Sequence, residues 1–339
     1  MSRKRLLIII TVVVGVILVC ACLGVGGYAL WNTPLGPALS VTAEVTIPTQ
    51  QEIITFPTAT VPVPAPTAAL STPKPVVNCG QTGSQNILIM GVDAPGGTLT
   101  NNPLVIRIIK IDFSRKTAGV FSFPRDLWLP ITGLESLGIS QTRLGESYRF
   151  ARSNAGLSAA AATNLVAQNL YNNFGALSDH YITAKISTLA AIIDSVGGIT
   201  VDIPVAYDGT PYHLHYFGAG PYYMNGALAL EYATAPSPLL QWGGGDRQTQ
   251  ILVALYKKVF SSEMIPRLPG LIPQFLQAVT TDLSAQQAMD LACLSQQISN
   301  QQISFGGVGS NDVTYGAGGV LYPNIDAIRA KVQQLLGKA

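Results

Sequence analysis

The sequence predicts an α/β fold, a central mixed sheet flanked by helices in three layers, held outside a membrane by an N-terminal span. Two patterns predict the layers. Short continuous apolar runs that end in glycine or proline suit strands buried on both faces. Between them lie apolar residues spaced three or four apart, and such alternation favours a parallel or mixed sheet covered by helices on both faces. A third pattern predicts the span: Arg3, Lys4 and Arg5 precede an uncharged apolar run from Leu6 to Trp31.

That run is longer than the roughly 20 residues needed to cross a bilayer. Basic residues mark the cytoplasmic side, so residues 1–5 form a cytoplasmic tail, residues 6–31 a single-pass transmembrane helix in the cell membrane, and the main domain is extracytoplasmic. A cleaved signal peptide competes, but the run exceeds the usual ~7–15-residue core and no clear small-x-small site follows it. Val19-Cys20-Ala21-Cys22 matches a bacterial lipidation box poorly. With 339 residues, 48% apolar and 11% charged, the chain can bury a full core, and the span accounts for part of a mean hydropathy of +0.33. A net charge of +2, without a basic stripe or a helix-turn-helix signal, argues against nucleic acid as a partner.

Residues 32–78 are rich in Thr, Pro, Val and Ala. Frequent prolines remove backbone donors and favour extended chain, so this stretch is expected to be a semi-rigid extracytoplasmic stalk. Of the four cysteines, Cys20 and Cys22 fall in the span. Cys79 and Cys293 remain outside it, where either one disulfide or two buried thiols would fit. No CxxC pair or His/Cys cluster supports a zinc site.

The folded domain is assigned to residues 79–308. Asn86 to Gly91 reads as its first strand, and the following loop leaves Asp93 at the strand's carboxyl end. Leu104–Ile111 and Ala118–Phe123 are the next two strands, joined as a hairpin by the polar Asp112–Thr117. The third strand stops at Pro124 and thereby exposes Arg125 and Asp126 at the sheet edge, where α/β folds place ligands. The plain alternative is a salt bridge capping the strand.

Ser158 is expected to cap a helix carrying Ala162, Val166, Leu170 and Phe174 and ending at Gly175. A strand at His180–Lys185, a helical stripe of Ile186, Leu189, Ile193 and Val196, and a strand at Ile199–Pro204 follow. Val205–Met224, rich in Gly, Pro and Tyr, reads as an irregular excursion. Its His213 and His215 alternate as on one strand face, which fits either a shared metal or a solvated edge. Asn225-Gly226 opens a short helix. Asp246 caps another, whose first turn holds Arg247 and Gln248; free amides there favour phosphate, while the alternative is an Arg247 ion pair. Ser284 starts a helix through Gln297, and Ile303–Val308 is a closing strand. Residues 309–339 are read as an extension ending in an amphipathic helix from Asn324 to Gly337, with Ile325, Ile328, Val332 and Leu335 inward.

Taken with the basic tail, span and stalk, several segments resemble the LytR-CpsA-Psr family in order and spacing from Asn86 to Val308. They are Asn86 to Asp93, Phe121-Ser122-Phe123-Pro124-Arg125-Asp126, Val196 to Pro204, Met224 to Ala233 and Asp246-Arg247-Gln248. The resemblance implies an extracytoplasmic α/β/α domain that holds a polyprenyl-pyrophosphate lipid in an apolar pocket. It implies transfer of the attached glycan phosphate to peptidoglycan, usually with magnesium. Asp93 matches the family's first metal-holding acid. Arg125 and Asp126 match its Pro-Arg-Asp, Arg247 and Gln248 match a basic-amide pair, and Arg143 stands near a family basic position.

Other family positions differ. Asn101-Asn102-Pro103-Leu104 replaces Arg-Ser-Asp-Thr, which removes one arginine and the second metal aspartate. Tyr232-Ala233-Thr234-Ala235-Pro236 replaces Tyr-x-Arg-x-Arg. Arginines and a metal supply much of the transition-state stabilisation in phosphoryl transfer. Arg107, Arg143, Arg149 and Arg152 are the candidates to replace what is missing. Two function classes follow: a glycopolymer phosphotransferase using Asp93, Arg125 and Asp126 for chemistry, with Arg125, Arg143, Arg247 and Gln248 on the substrate, or a non-catalytic module binding polyprenyl lipid or wall glycan. Transcription regulation conflicts with the membrane topology.

Overall fold

The computed structural model describes residues 32–42, 79–92, 101–235, 247–259, 261, 263–264, 267, 279–295 and 297–337. The expected span at 6–31, the loop carrying Asp93 and the cap at Asp246 lie outside the described residues. Among the described residues, no helix is long and apolar enough to cross a membrane.

In chain order the first elements are β1 (Ser84–Val92), β2 (Pro103–Asp112), β3 (Thr117–Ser122), β4 (Trp128–Pro130), β5 (Gln141–Arg143), α1 (Leu144–Ser153), α2 (Ala159–Phe174) and β6 (His180–Lys185). The middle holds α3 (Ile186–Ser195), β7 (Ile199–Ile203), β8 (Tyr207–Asp208), β9 (Tyr216–Phe217), β10 (Gly220–Met224), α4 (Gly226–Thr234) and α5 (Arg247–Val259). The last part comprises β11 (Val279–Thr281), α6 (Ala285–Ser295), β12 (Ile303–Gly307), β13 (Val313–Tyr315), β14 (Leu321–Pro323) and α7 (Ile325–Leu336). The central sheet has the order β11-β6-β1-β2-β3-β12 and is mixed, with β6 parallel to β1 and β12 parallel to β3.

Local signals account for the elements. The β2–β3 hairpin turns through Lys116, whose φ of 55° lies in the left-handed region. Ser158 caps α2 by accepting from the Ala161 N–H at 3.1 Å, and Gly175 ends it at a φ of 69°, which suits a residue without Cβ. The register pairs Ile89 with Arg107 and Arg107 with Ser122. Because side chains alternate along a strand, Ile89, Arg107, Ile109, Ile111 and Val120 share one face of the sheet, and Leu88, Met90, Ile106, Ile108 and Phe121 share the other. The second set forms the main core with α1, α2 and α7. On the first face, α5 and α6 lie over the sheet.

The structure alters several expectations. β7 pairs with β10 rather than joining the central sheet; its alternating burial leaves Thr200 and Asp202 to solvent, a pattern suited to a one-sided ribbon. With α4, α5, Phe217 and Tyr232 it forms a second apolar cluster. Residues 309–337 are part of the domain, since Ile328, Val332 and Leu336 belong to the main core. Residues 34–42, read as the start of the stalk, form a strap on the domain. Leu39 and Val41 pack against the main core. Leu35 N–H donates to Leu283 O (3.2 Å), Ser40 N–H to Asn164 (2.9 Å) and Thr42 N–H to Gln168 (2.9 Å). Cys79 and Cys293 are joined as a disulfide with their Cα atoms 5.5 Å apart, which ties the chain before β1 to α6.

Candidate functional site

The sheet register brings chain-distant loops to one edge. β1 ends where β2 begins, with Val92 opposite Pro103, and β3 runs toward the same edge from Ser122 opposite Arg107. Asn101, Asn102, Arg125 and Asp126 therefore leave the sheet together. Asp93, next after Val92, lies outside the described residues. Gly145, at the start of α1, permits the closest approach: its N–H donates to Arg125 O at 2.8 Å. A Cβ there would meet Asn102 Oδ1 at 2.9 Å and Arg125 Cβ at 3.0 Å.

Charges meet at this edge. Asp126 lies between two guanidiniums, 3.7 Å from Arg125 Nε and 3.7 Å from Arg143 Nε. Arg143 also reaches Glu146 Oε1 at 3.4 Å and donates from Nη2 to Gly318 O at 2.6 Å. Thr142 steadies Glu146 through a 2.9 Å hydrogen bond. The salt bridge expected as the plain alternative thus exists, but it leaves donors over. Among the described residues, Arg125 Nη1 and Arg143 Nε are buried without a hydrogen-bond acceptor, and Asn102 Oδ1 is buried without a donor. A buried N–H left without a partner costs ~1–3 kcal/mol, so an oxyanion arriving here would relieve that cost.

On the first face of the sheet lies an apolar cavity of about 330 Å³ between the sheet and α5 and α6; its sheet lining runs from Arg107 through Ile109 and Val120 toward the β2–β3 hairpin, and Leu252, Leu294 and Phe305 close it. Its size is at the lower end of ligand pockets. Arg107 and Lys257 are the charged residues in its wall. Of the three β2 residues that line it, Arg107 lies nearest the edge.

The remaining expected residues are placed differently. Arg247 opens α5, the helix whose Leu252 and Val253 wall the cavity, but its guanidinium is buried in the second cluster, 4.0 Å over the Tyr207 ring and 5.5 Å from that of Tyr232. It donates to Ala235 O, and its Nε, like Arg125 Nη1 and Arg143 Nε, is buried without an acceptor among the described residues. Gln248 is half-buried in the same turn. Of the candidate replacement arginines, Arg149 stacks on Phe150 at 4.3 Å and Arg152 donates to Leu157 O, so both are engaged around α1. Arg143 joins the edge cluster, and Arg107 lines the cavity. Asn102, Glu146 and the Gly318 carbonyl were not expected at the site. Asn102 could have been placed by the β1–β2 register, whereas Gly318 carries no sequence signal.

His213 and His215 do not share a strand face. His213 ends a 3₁₀ turn at a φ of 60°, and His215 Nδ1 lies 2.8 Å from Glu231 Oε1. Although burial opposes it, hydrogen bonding and charge from His215 hold the Glu231 carboxyl below its ordinary pKa. Among the described residues, no three His, Cys, Asp or Glu side chains gather as metal ligands. Magnesium prefers carboxylates together with substrate phosphates. The edge offers Asp126 between two cations, and Pro103 stands where the resemblance puts the second aspartate, so these described residues do not fit that ion.

The LytR_cpsA_psr family model matches residues 64–334. The chain belongs to the LytR-CpsA-Psr family. Among relatives of this LytR-CpsA-Psr protein, the polyisoprenyl-teichoic acid–peptidoglycan teichoic acid transferase TagV of Bacillus subtilis is 25% identical over 264 residues, 74% of this chain. The chain spans about 64% of TagV's length. TagU of the same organism, which carries the same description, is 22% identical over 296 residues, 86% of this chain and 82% of TagU. The crystal structure of B. subtilis TagV superposes with a TM-score of 0.59 at 22% identity, covering 76% of this chain and 99% of that one. A structure described as TagT bound to LI-WTA superposes with a TM-score of 0.54 at 17% identity, covering 77% and 94%. These likenesses establish the LytR-CpsA-Psr fold for the α/β domain.

Proposed function

We propose that this LytR-CpsA-Psr protein works at the outer face of the cell membrane, binding a polyprenyl-pyrophosphate-linked glycan and transferring its glycan phosphate to peptidoglycan. One observation carries the reading: β2 and β3, which line an apolar cavity, meet at an edge where Arg125 and Arg143 hold buried N–H groups without acceptors. The cavity suits a prenyl chain and the edge suits its phosphates. The names of the TagV and TagU relatives support the reaction class. The disulfide suits an oxidising compartment, and the uncharged run at 6–31 suits an anchor.

In this reading Arg125 grips the pyrophosphate with a fixed fork of donors, and Arg143, held by Glu146 and Gly318, neutralises charge spreading over the phosphate oxygens. Asp126 orients both guanidiniums and accepts the proton of the attacking acceptor hydroxyl. The hydroxyl oxygen forms a bond to the glycan-side phosphorus as the pyrophosphate bridge breaks, and polyprenyl phosphate leaves. Arg247 and Gln248 act from the start of α5 by holding that wall of the cavity.

A second reading rests on Asn101 and Pro103, which stand where the family carries an arginine and an acid: the domain would bind the lipid without turning it over. The test is full-length protein in nanodiscs with a polyprenyl-pyrophosphate glycan and peptidoglycan, comparing wild type with Arg125→Ala. Turnover lost in the variant supports transfer. Binding lost in the variant, with no turnover in either, supports the binding module. Absence of both from the wild type rejects the site.

A further inference from the structure

We propose that Arg107 is a specificity-determining residue that makes the cavity accept an anionic prenyl chain over the same chain without charge. The inference rests on the lipid-binding reading above and goes beyond it, because Arg107 belongs to none of the motifs that carry the family resemblance. β2 is a central strand whose cavity face is otherwise apolar, with Ile109 and Ile111 following Arg107 and Ile89 beside it on β1. The only other charge on the strand before Asp112, Lys110, points to the opposite face and donates to Gly337 O. Arg107 is 5% exposed and lines the cavity wall.

A charge in such surroundings is costly unless it is paired, and it sets what the cavity tolerates. A neutral lipid beside Arg107 would form no hydrogen bond with the guanidinium. A phosphate would return charge-assisted, bidentate hydrogen bonds, and a guanidinium has five donors, enough to serve a ligand in addition to a protein contact.

Position along the sheet adds a second point. Arg107 is opposite Ser122, and Arg125 follows three residues later, at most ~10 Å of extended chain. A prenyl diphosphate lying with its tail in the cavity therefore presents its lipid-side phosphate to Arg107 and its outer phosphate to Arg125. The cavity cation reads whether the chain is phosphorylated; the edge cations hold what is attached beyond.

The experiment measures binding of farnesyl diphosphate and of farnesol to full-length protein in nanodiscs, for wild type, Arg107→Met and Arg107→Lys. Methionine keeps most of the length and removes the charge. The expected result is a loss of about 10–100-fold for the diphosphate in Arg107→Met, the worth of a charge-assisted hydrogen bond, with farnesol binding unchanged or stronger. Arg107→Lys, which keeps a point charge without the fork, is expected to fall between. Equal losses for both probes in Arg107→Met would make the residue structural and overturn the proposal, as would an unchanged preference for diphosphate. Should Arg107→Met not fold, an Arg107→Lys preference equal to that of the wild type overturns it. Wild type binding neither probe would instead overturn the lipid-binding reading itself.

Discussion

Filling the cavity from its sheet wall separates a ligand pocket from a packing defect. Ile109 sits mid-strand on β2, half-buried, and lines the cavity opposite α5. Ile109→Trp keeps strand propensity and projects an indole into the space a prenyl tail would occupy. Expelling one isoprene unit removes roughly five buried carbon centres at ~0.8 kcal/mol each, about 4 kcal/mol or close to 10³-fold in affinity. Relaxation of the tail onto other surface makes ~10²-fold the lower expectation. The protein itself should be unharmed, because about 330 Å³ is open to receive the ring. Its unfolding free energy should change by less than ~1 kcal/mol, whereas over-filling a solid core costs ~1–3 kcal/mol. Farnesyl diphosphate titration and urea unfolding on the same samples provide both numbers. A destabilised protein with undiminished binding would refute the reasoning.

Three further predictions follow from the packing. Gly145→Ala should push Arg125 and Asn102 apart, since the new Cβ would stand 2.9 and 3.0 Å from them; diphosphate affinity is expected to drop about tenfold with little change in thermal stability, the methyl favouring the helix by up to ~1 kcal/mol. Replacing Cys79 and Cys293 together by serine should cost about 2–5 kcal/mol of unfolding free energy and speed hydrogen exchange in α6. The strap should be acid-labile. Burial raises the Asp282 carboxyl, but hydrogen bonds from His180, Tyr181 N–H and Leu39 N–H outweigh it and hold the pKa below the ordinary aspartate value. Such a group contributes stability that is complete above its unfolded pKa of ~3.9 and is lost as pH falls through the lower folded value. Exchange at the Leu39 amide should therefore accelerate below about pH 4 relative to that reference, and Asp282→Asn should remove the dependence.

Much of the domain could be read from local chemistry. The first three strands, their hairpin and α2 declare themselves through apolar runs and caps, and Pro124 marks where Arg125 and Asp126 leave the sheet. What local reading could not supply are contacts made at a distance. Arg143 reaches the Gly318 carbonyl 175 residues away, and the strap donates to Asn164 and Gln168 more than 120 residues on. Arg247 shows what a helix-start signal leaves out: two tyrosines from β8 and α4 fold over the guanidinium, while its Nε is buried without an acceptor among the described residues. Arg107 was legible as a basic residue near the site, but only the β1–β2–β3 register turns it into the cavity rather than the core.

The central claim is that the cavity under α5 and α6 receives the lipid chain while the Arg125 edge receives its phosphates. Photocrosslinking tests it most directly: a prenyl diphosphate with a photoreactive group on its tail is irradiated with full-length protein in nanodiscs, and the labelled residues are mapped by mass spectrometry. The account predicts labels on Leu252, Val253, Leu294 and Phe305, suppressed by excess unlabelled diphosphate and reduced in Arg125→Ala. Labels confined to the opposite face, on α2 or α7, would contradict it.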